Sequence, residues 1–242
     1  MASRIKISPD YFVLGIILIL NVAVWYSSSS RLPRWANVPP APSEVGATAS
    51  FLGDEELAYR SIAITLQSFG NATGQVMALK DYHYKNLGTW FDLGDSLNQK
   101  SNYVPFLAGY YFAGNQDPSK LMPVINYLRR VGAYSDEDKW RYLGQAVYLA
   151  RHKMKNMPLA MELAKELAAT YKTGMPAWVI QMPAIVASGM GEQEMAYNLM
   201  LDTLQNKSAG MDPAEINYML DEICNRILTP QQKQSNKMCV GQ

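Results

Sequence analysis

Histidine and cysteine are nearly missing from this 242-residue chain, with two of each. That scarcity limits the chemistry it can do. A Ser–His–acid arrangement has only His83 and His152 to draw on, and no G-x-S-x-G elbow accompanies either. The sequence also has no H-E-x-x-H, no paired C-x-x-C, no glycine-rich phosphate loop and no EF-hand loop. An excess of either charge is lacking too. Lys and Arg number 22 and Asp and Glu 21, so no global field points to nucleic acid. The basic knot Arg151, His152, Lys153 and Lys155 has no aromatic interleaving of the kind that grips bases. It reads as cations suited to a helix C-terminus, with an acidic partner or an anionic membrane surface as the alternative. His83, between Tyr82 and Tyr84, reads as a packed or surface side chain. Asp92 and Asp95 read as solvated helix acids. These absences predict a protein that is not an enzyme, with no catalytic residue, no metal, no cofactor and no nucleic-acid partner.

Long apolar runs are also rare, with one exception. From Tyr11 to Tyr26 only Asn21 is clearly polar, and Ser27 to Ser30 extend the stretch to twenty residues. Crossing the hydrocarbon takes about 20 residues. Tyr11, Trp25 and Tyr26 would sit in the interfacial belts. The run predicts an uncleaved single-pass anchor over 11–30; a cleaved signal peptide is the alternative, but no clear A-x-A site follows the run. Arg4 and Lys6 precede it and Arg31 and Arg34 follow, a near tie for orientation. The expectation is a cytoplasmic segment 1–10 and a folded part outside, on the periplasmic side of a bacterial inner membrane. Asn21 is a candidate contact to a neighbouring transmembrane helix. Residues 31–50, with Pro33, Pro39, Pro40 and Pro42, predict an extended linker that holds the domain off the bilayer.

What remains carries a helical signature. Trp140, Leu143, Gly144 and Val147 fall at i, i+3, i+4 and i+7, one face of a helix. Gly144 costs about 1 kcal/mol against Ala mid-helix, which suggests close approach of another backbone. Ser135 with Asp138 resembles a capping box for that helix. The next helix sets a row of Leu159, Leu163 and Leu167 beside a row of Ala160, Ala164 and Ala168, which suits tight helix packing. The turn at Lys155-Asn156-Met157 makes the two an antiparallel hairpin. Helical pairs are also expected over 54–68 with 80–97 and over 102–113 with 118–131. A kink is expected at Pro183. Asp212-Pro213-Ala214-Glu215 marks the start of a closing helix that runs to about Leu228. Cys224 would lie on it and Cys239 in a polar, frayed tail over 229–242. A disulfide between them and two free thiols both remain open. Asn71-Ala72-Thr73 and Asn206-Lys207-Ser208 match the glycosylation pattern, a three-residue match that occurs by chance.

Aromatics that open a helix recur at Tyr103, Trp140 and Trp178, a spacing of 37 and then 38 residues. On that register Gly109, Ala146 and Ala184 share a position, as do Tyr110, Val147 and Ile185. With Trp140, Leu143-Gly144, Ala160 and Pro176 in comparable places, residues 54–206 resemble the tetratricopeptide-repeat (TPR) family. The period exceeds that family's 34, and the Tyr103 and Trp178 copies lack Leu-Gly. The alternative is an ordinary helical bundle. The fold expected is all-α, an antiparallel helix-pair solenoid over 51–228 behind the transmembrane helix. The resemblance implies protein or peptide binding on a concave face built by first helices. Tyr110, Arg141, Gln145 and Tyr148 are the candidate lining residues, while Trp140 and Leu143 are structural. The expected role is a membrane-anchored scaffold whose partners are the bilayer and other membrane or envelope proteins. The rival expectation is an enzyme or accessory factor that holds glycan or lipid in an aromatic groove around Tyr82, Trp90 and Tyr103.

Overall fold

The computed structural model describes residues 9–29, 38–71, 76–135 and 138–240. Among these residues the chain is all helix, without a strand. α1 is Pro9–Ser29, with side chains described over 11–27 and exposed along almost all of that length. Among the described residues no helix is long and apolar enough to cross a membrane. Arg4, Lys6, Arg31, Arg34 and the Pro33 end of the expected linker lie outside the described residues.

The rest of that linker is not free. Val38 is buried, the Pro39 carbonyl accepts the Trp90 indole N–H at 2.8 Å, and the Val38 carbonyl accepts from Asn86 Nδ2 at 2.9 Å. Ser43 then caps a short helix, α2, Glu44–Ala49, which packs on the two helices that follow. Sequence reading misses this docking because proline-rich composition resembles a spacer, while the groups that hold it lie about fifty residues downstream.

The helices then alternate. α3 (Glu55–Ser68) starts at the Asp54 cap, whose carboxylate accepts from Leu57 N–H. α4 (Tyr84–Leu97) starts at His83, whose Nδ1 accepts from Asn86 N–H. α5 (Tyr103–Phe106) continues through a π-helical turn, Leu107–Tyr111, and α6 is Met122–Gly132. α7 (Trp140–Tyr148) likewise runs into a π turn, Leu149–Lys153. α8 is Met157–Ala169, capped by Asn156, and α9 is Trp178–Met190, which continues through Pro183. α10 is Gln193–Asn206, and α11 (Pro213–Glu222) ends in a third π turn, Ile223–Ile227. Much of the packing is between sequence neighbours, α6 on α7, α7 on α8, α8 on α9, and α9 on α10, while α4 packs on both α3 and α6. The π turns each insert a residue into a first helix, which lengthens the repeat spacing.

Two details of the central helix differ from expectation. No capping box forms at Ser135: α7 begins after Lys139, while Asp138 pairs with Arg141 at 2.9 Å. Lys139 is itself buried, and its ammonium donates to the Ser101 carbonyl at 2.7 Å. Gly144 does not admit a backbone; a Cβ there would lie 3.1 Å from the Trp178 ring. The glycine that admits a backbone is Gly132, where a Cβ would fall 2.5 Å from Leu143 N. α6 and α7 are held together at that point.

Up to Val240 the C-terminal tail is ordered rather than frayed. Thr229 and Gln232 form a reciprocal capping box that opens α12, Pro230–Ser235. Asn236 Nδ2 donates to the Tyr197 hydroxyl at 3.1 Å. Cys224 and Cys239, both buried, form a disulfide with Cα atoms 5.6 Å apart. This segment covers the end of the helical row, where an exposed apolar face would otherwise remain.

Candidate protein-binding face

The parallel stacking of first helices creates the candidate face. α7 lies along α5 in register: Tyr142 donates to the Asn102 carbonyl at 3.0 Å, and Gln145 Nε2 to the Gly109 carbonyl at 2.9 Å. Tyr103 reaches back to α3, its hydroxyl donating to Gln67 Oε1 at 2.7 Å. On α5, Val104, Leu107 and Ala108 turn into the core, while Tyr103, Phe106 and Tyr110 turn outward. Phe106 and Tyr110 stack with ring centroids 5.1 Å apart, the i, i+4 pairing a helix allows.

Of the sequence-derived candidates, Tyr110 (56% exposed) and Tyr148 (48%) stand in solvent on adjacent first helices. Arg141 is exposed as well, its guanidinium 5.1 Å from the Trp140 ring centre. Tyr148 lies against the His152 ring at 5.0 Å. Burial, and then the nearby Arg151 and Lys155, lower the His152 pKa below the usual histidine value. Gln145 has a different role: its half-buried amide pins α7 to α5, so it belongs to the joint rather than to the open face. Asn21 donates to its own helix, Nδ2 to the Ile17 carbonyl at 3.0 Å. The repeat pattern does not point to Phe106. Its exposure follows from the buried positions around it, a signal hidden by the π turn that ends α5.

The register read from aromatic spacing holds at Gly109, Ala146 and Ala184, all buried. It fails at Tyr110, which is exposed where Val147 is buried. The π turn spanning Tyr110 rotates the helix there.

Tyr82 and Trp90 line no open groove. Both are buried, the Tyr82 hydroxyl donating to the Phe69 carbonyl and Trp90 packing edge-on to Phe69 at 5.1 Å. Desolvation pushes the Tyr82 phenol up to about 12. Asp95 is buried rather than solvated, and accepts the Tyr134 hydroxyl at 2.5 Å with Arg130 Nε at 3.7 Å. Among the described residues no group of three or more His, Cys, Asp or Glu side chains is placed to hold a metal ion.

The chain matches no protein-family model, no curated protein and no solved structure.

Proposed function

We propose that the protein is a membrane-anchored, TPR-like interaction protein that binds or stabilises subunits of a larger membrane or envelope assembly through the outer face of α5 and α7. The observation that carries this reading is the partition of aromatic side chains. Tyr59, Phe69, Tyr82, Tyr84, Trp90 and Phe91 are buried, whereas Tyr103, Phe106, Tyr110 and Tyr148 stand exposed on two adjacent first helices beside Arg141. Tyr, Phe and Arg are the side chains that concentrate in the cores of protein interfaces. An exposed group of them has a cost that a partner removes.

The anchor reading rests on α1. From Tyr11 to Tyr26 its sequence is an apolar run in which Asn21 is the one clearly polar residue. The amide of Asn21, with one N–H returned to Ile17, keeps hydrogen-bonding capacity for a neighbouring helix. The Cys224–Cys239 disulfide supports an oxidising compartment for the folded part.

Affinity purification of the full chain from detergent-solubilised native membranes, compared with a Tyr110→Ser/Tyr148→Ser double variant, tests the binding face. The expected result is loss of specific co-purifying proteins with unchanged helix content. An identical protein set from both would refute the proposal.

A further inference from the structure

One end of the helical row gathers a group of Lys and Arg side chains near the point where the N-terminal segment enters. α4 begins beside the end of α5, where the Tyr84 hydroxyl donates to the Phe112 carbonyl at 2.7 Å. α6 begins beside α4, with Pro123 Cβ 3.2 Å from the position a Cβ on Gly88 would take. α7 is parallel to α5, so its π turn closes at the same end. The turns gathered there present Lys80, Lys85, Lys120, Arg151, Lys153 and Lys155. Only Asp81 and Asp117 oppose them on these turns, and Asp117 is already 3.9 Å from Lys120. Lys120 also donates to the Lys80 carbonyl, which ties two of the turns together. The positive surface ends at the α9–α10 turn, which carries Glu192 and Glu194. At the opposite end charge is mixed: Asp54, Glu55 and Glu56 open α3 and Asp138 precedes α7, while Lys100, Lys172 and Lys207 lie on the turns.

Segment 38–43 docks on the first half of α4, at Asn86 and Trp90. Chain connectivity allows at most about 30 Å between Ser29, the end of α1, and Val38. If α1 is in a bilayer, the basic end therefore starts within reach of the headgroups.

We propose that this end, formed by the α3–α4, α5–α6 and α7–α8 turns, is a docking surface for an anionic lipid bilayer. The inference rests on the anchoring role of α1. Its chemistry is that of separate cations on short turns meeting a diffuse negative surface, an attraction that decays within a Debye length and is screened by salt. Docking at this end would stand the helices upright on the membrane and leave Phe106, Tyr110 and Tyr148 open to the side.

The test uses the full chain reconstituted into vesicles of phosphatidylcholine alone or with about one third phosphatidylglycerol, an anionic content that sets the surface potential. Amine-reactive labelling is read by mass spectrometry at Lys80, Lys85, Lys153 and Lys155, with Lys100, Lys172 and Lys207 at the opposite end as controls. The expected result is labelling slowed about threefold or more at the first set on anionic vesicles only, and restored in salt of about 0.5 M, where the screening length falls below about 5 Å. Equal labelling of both sets on anionic vesicles that carry the chain overturns the inference and leaves the anchor standing. A chain that floats with neither vesicle removes the anchor, and the inference with it.

Discussion

Two glycines show how closely a single position reports its neighbours. Gly132 and Gly144 lie on helices that touch, and only Gly144 stands out as a packing glycine in the sequence. A Cβ on Gly132 would strike the backbone of Leu143, which cannot move without separating α6 from α7. Gly132→Ala should therefore lower stability by about 1–3 kcal/mol, the usual cost of overpacking. A Cβ on Gly144 would meet only the rim of the Trp178 indole, itself partly exposed and able to shift. There the gain in helix propensity, about 1 kcal/mol, offsets the contact, and Gly144→Ala should be close to neutral. Urea denaturation of the two variants checks the contrast; equal losses would contradict this assignment of the close approach. The buried phenols make a second prediction at this scale. Burial raises Tyr59, Tyr84 and Tyr127 above the ordinary tyrosine value and sets Tyr82 and Tyr142 at about 12. A folded-state pKa above the unfolded value of about 10 gives stability that is complete below pH 10 and lost as pH rises towards 12. Absorbance at 295 nm and circular dichroism should show part of the tyrosine ionisation arriving together with helix loss. Complete ionisation with the helices intact would exclude this burial.

Elements differ in how plainly the sequence announces them. The starts of α8 and α11 are legible because they carry local caps, Asn156 and Asp212, and the apolar row of α8 keeps a single period. The outer ends of α5 and α7 are not, since a π turn changes the period where the face is formed. Hence the repeat pattern points to Tyr110 and Tyr148 but not to Phe106, and it does not reveal that the Gln145 amide ties α7 to α5. The docked segment 38–49 was hidden for another reason, namely that its hydrogen-bonding partners are on α4. Trp90→Phe removes the indole donor and one of the two fused rings. It should cost about 2–3 kcal/mol, the lost hydrogen bond together with the space left by the smaller ring, and speed amide hydrogen exchange over 38–49. Unchanged exchange there would show that the Pro39 contact does not hold the segment. At the other end, the disulfide closes a 15-residue separation. Its reduction should destabilise the C-terminal unit by about 3 kcal/mol on a chain-entropy account. Increased exchange confined to α10, α11 and the tail would confirm it, and a uniform loss across the chain would not.

For the whole molecule, packing between sequence neighbours leaves the first helices side by side and their outer faces uncovered. A row of this kind is stabilised locally, and on the proposed function it would bind along its length. The exposed aromatics lie on that length, between a docked N-terminal segment and a disulfide-fastened C-terminal cap. The account therefore rests on a protein partner seated across α5 and α7. Site-specific photo-crosslinking of the full chain in its native membrane tests this most directly, with p-benzoylphenylalanine placed in turn at Tyr110, Tyr148 and, as a control on the exposed side of α8, Lys165. Positions 110 and 148 should capture the same protein while 165 does not. Capture at none of the three, or the same capture at all of them, would contradict the account.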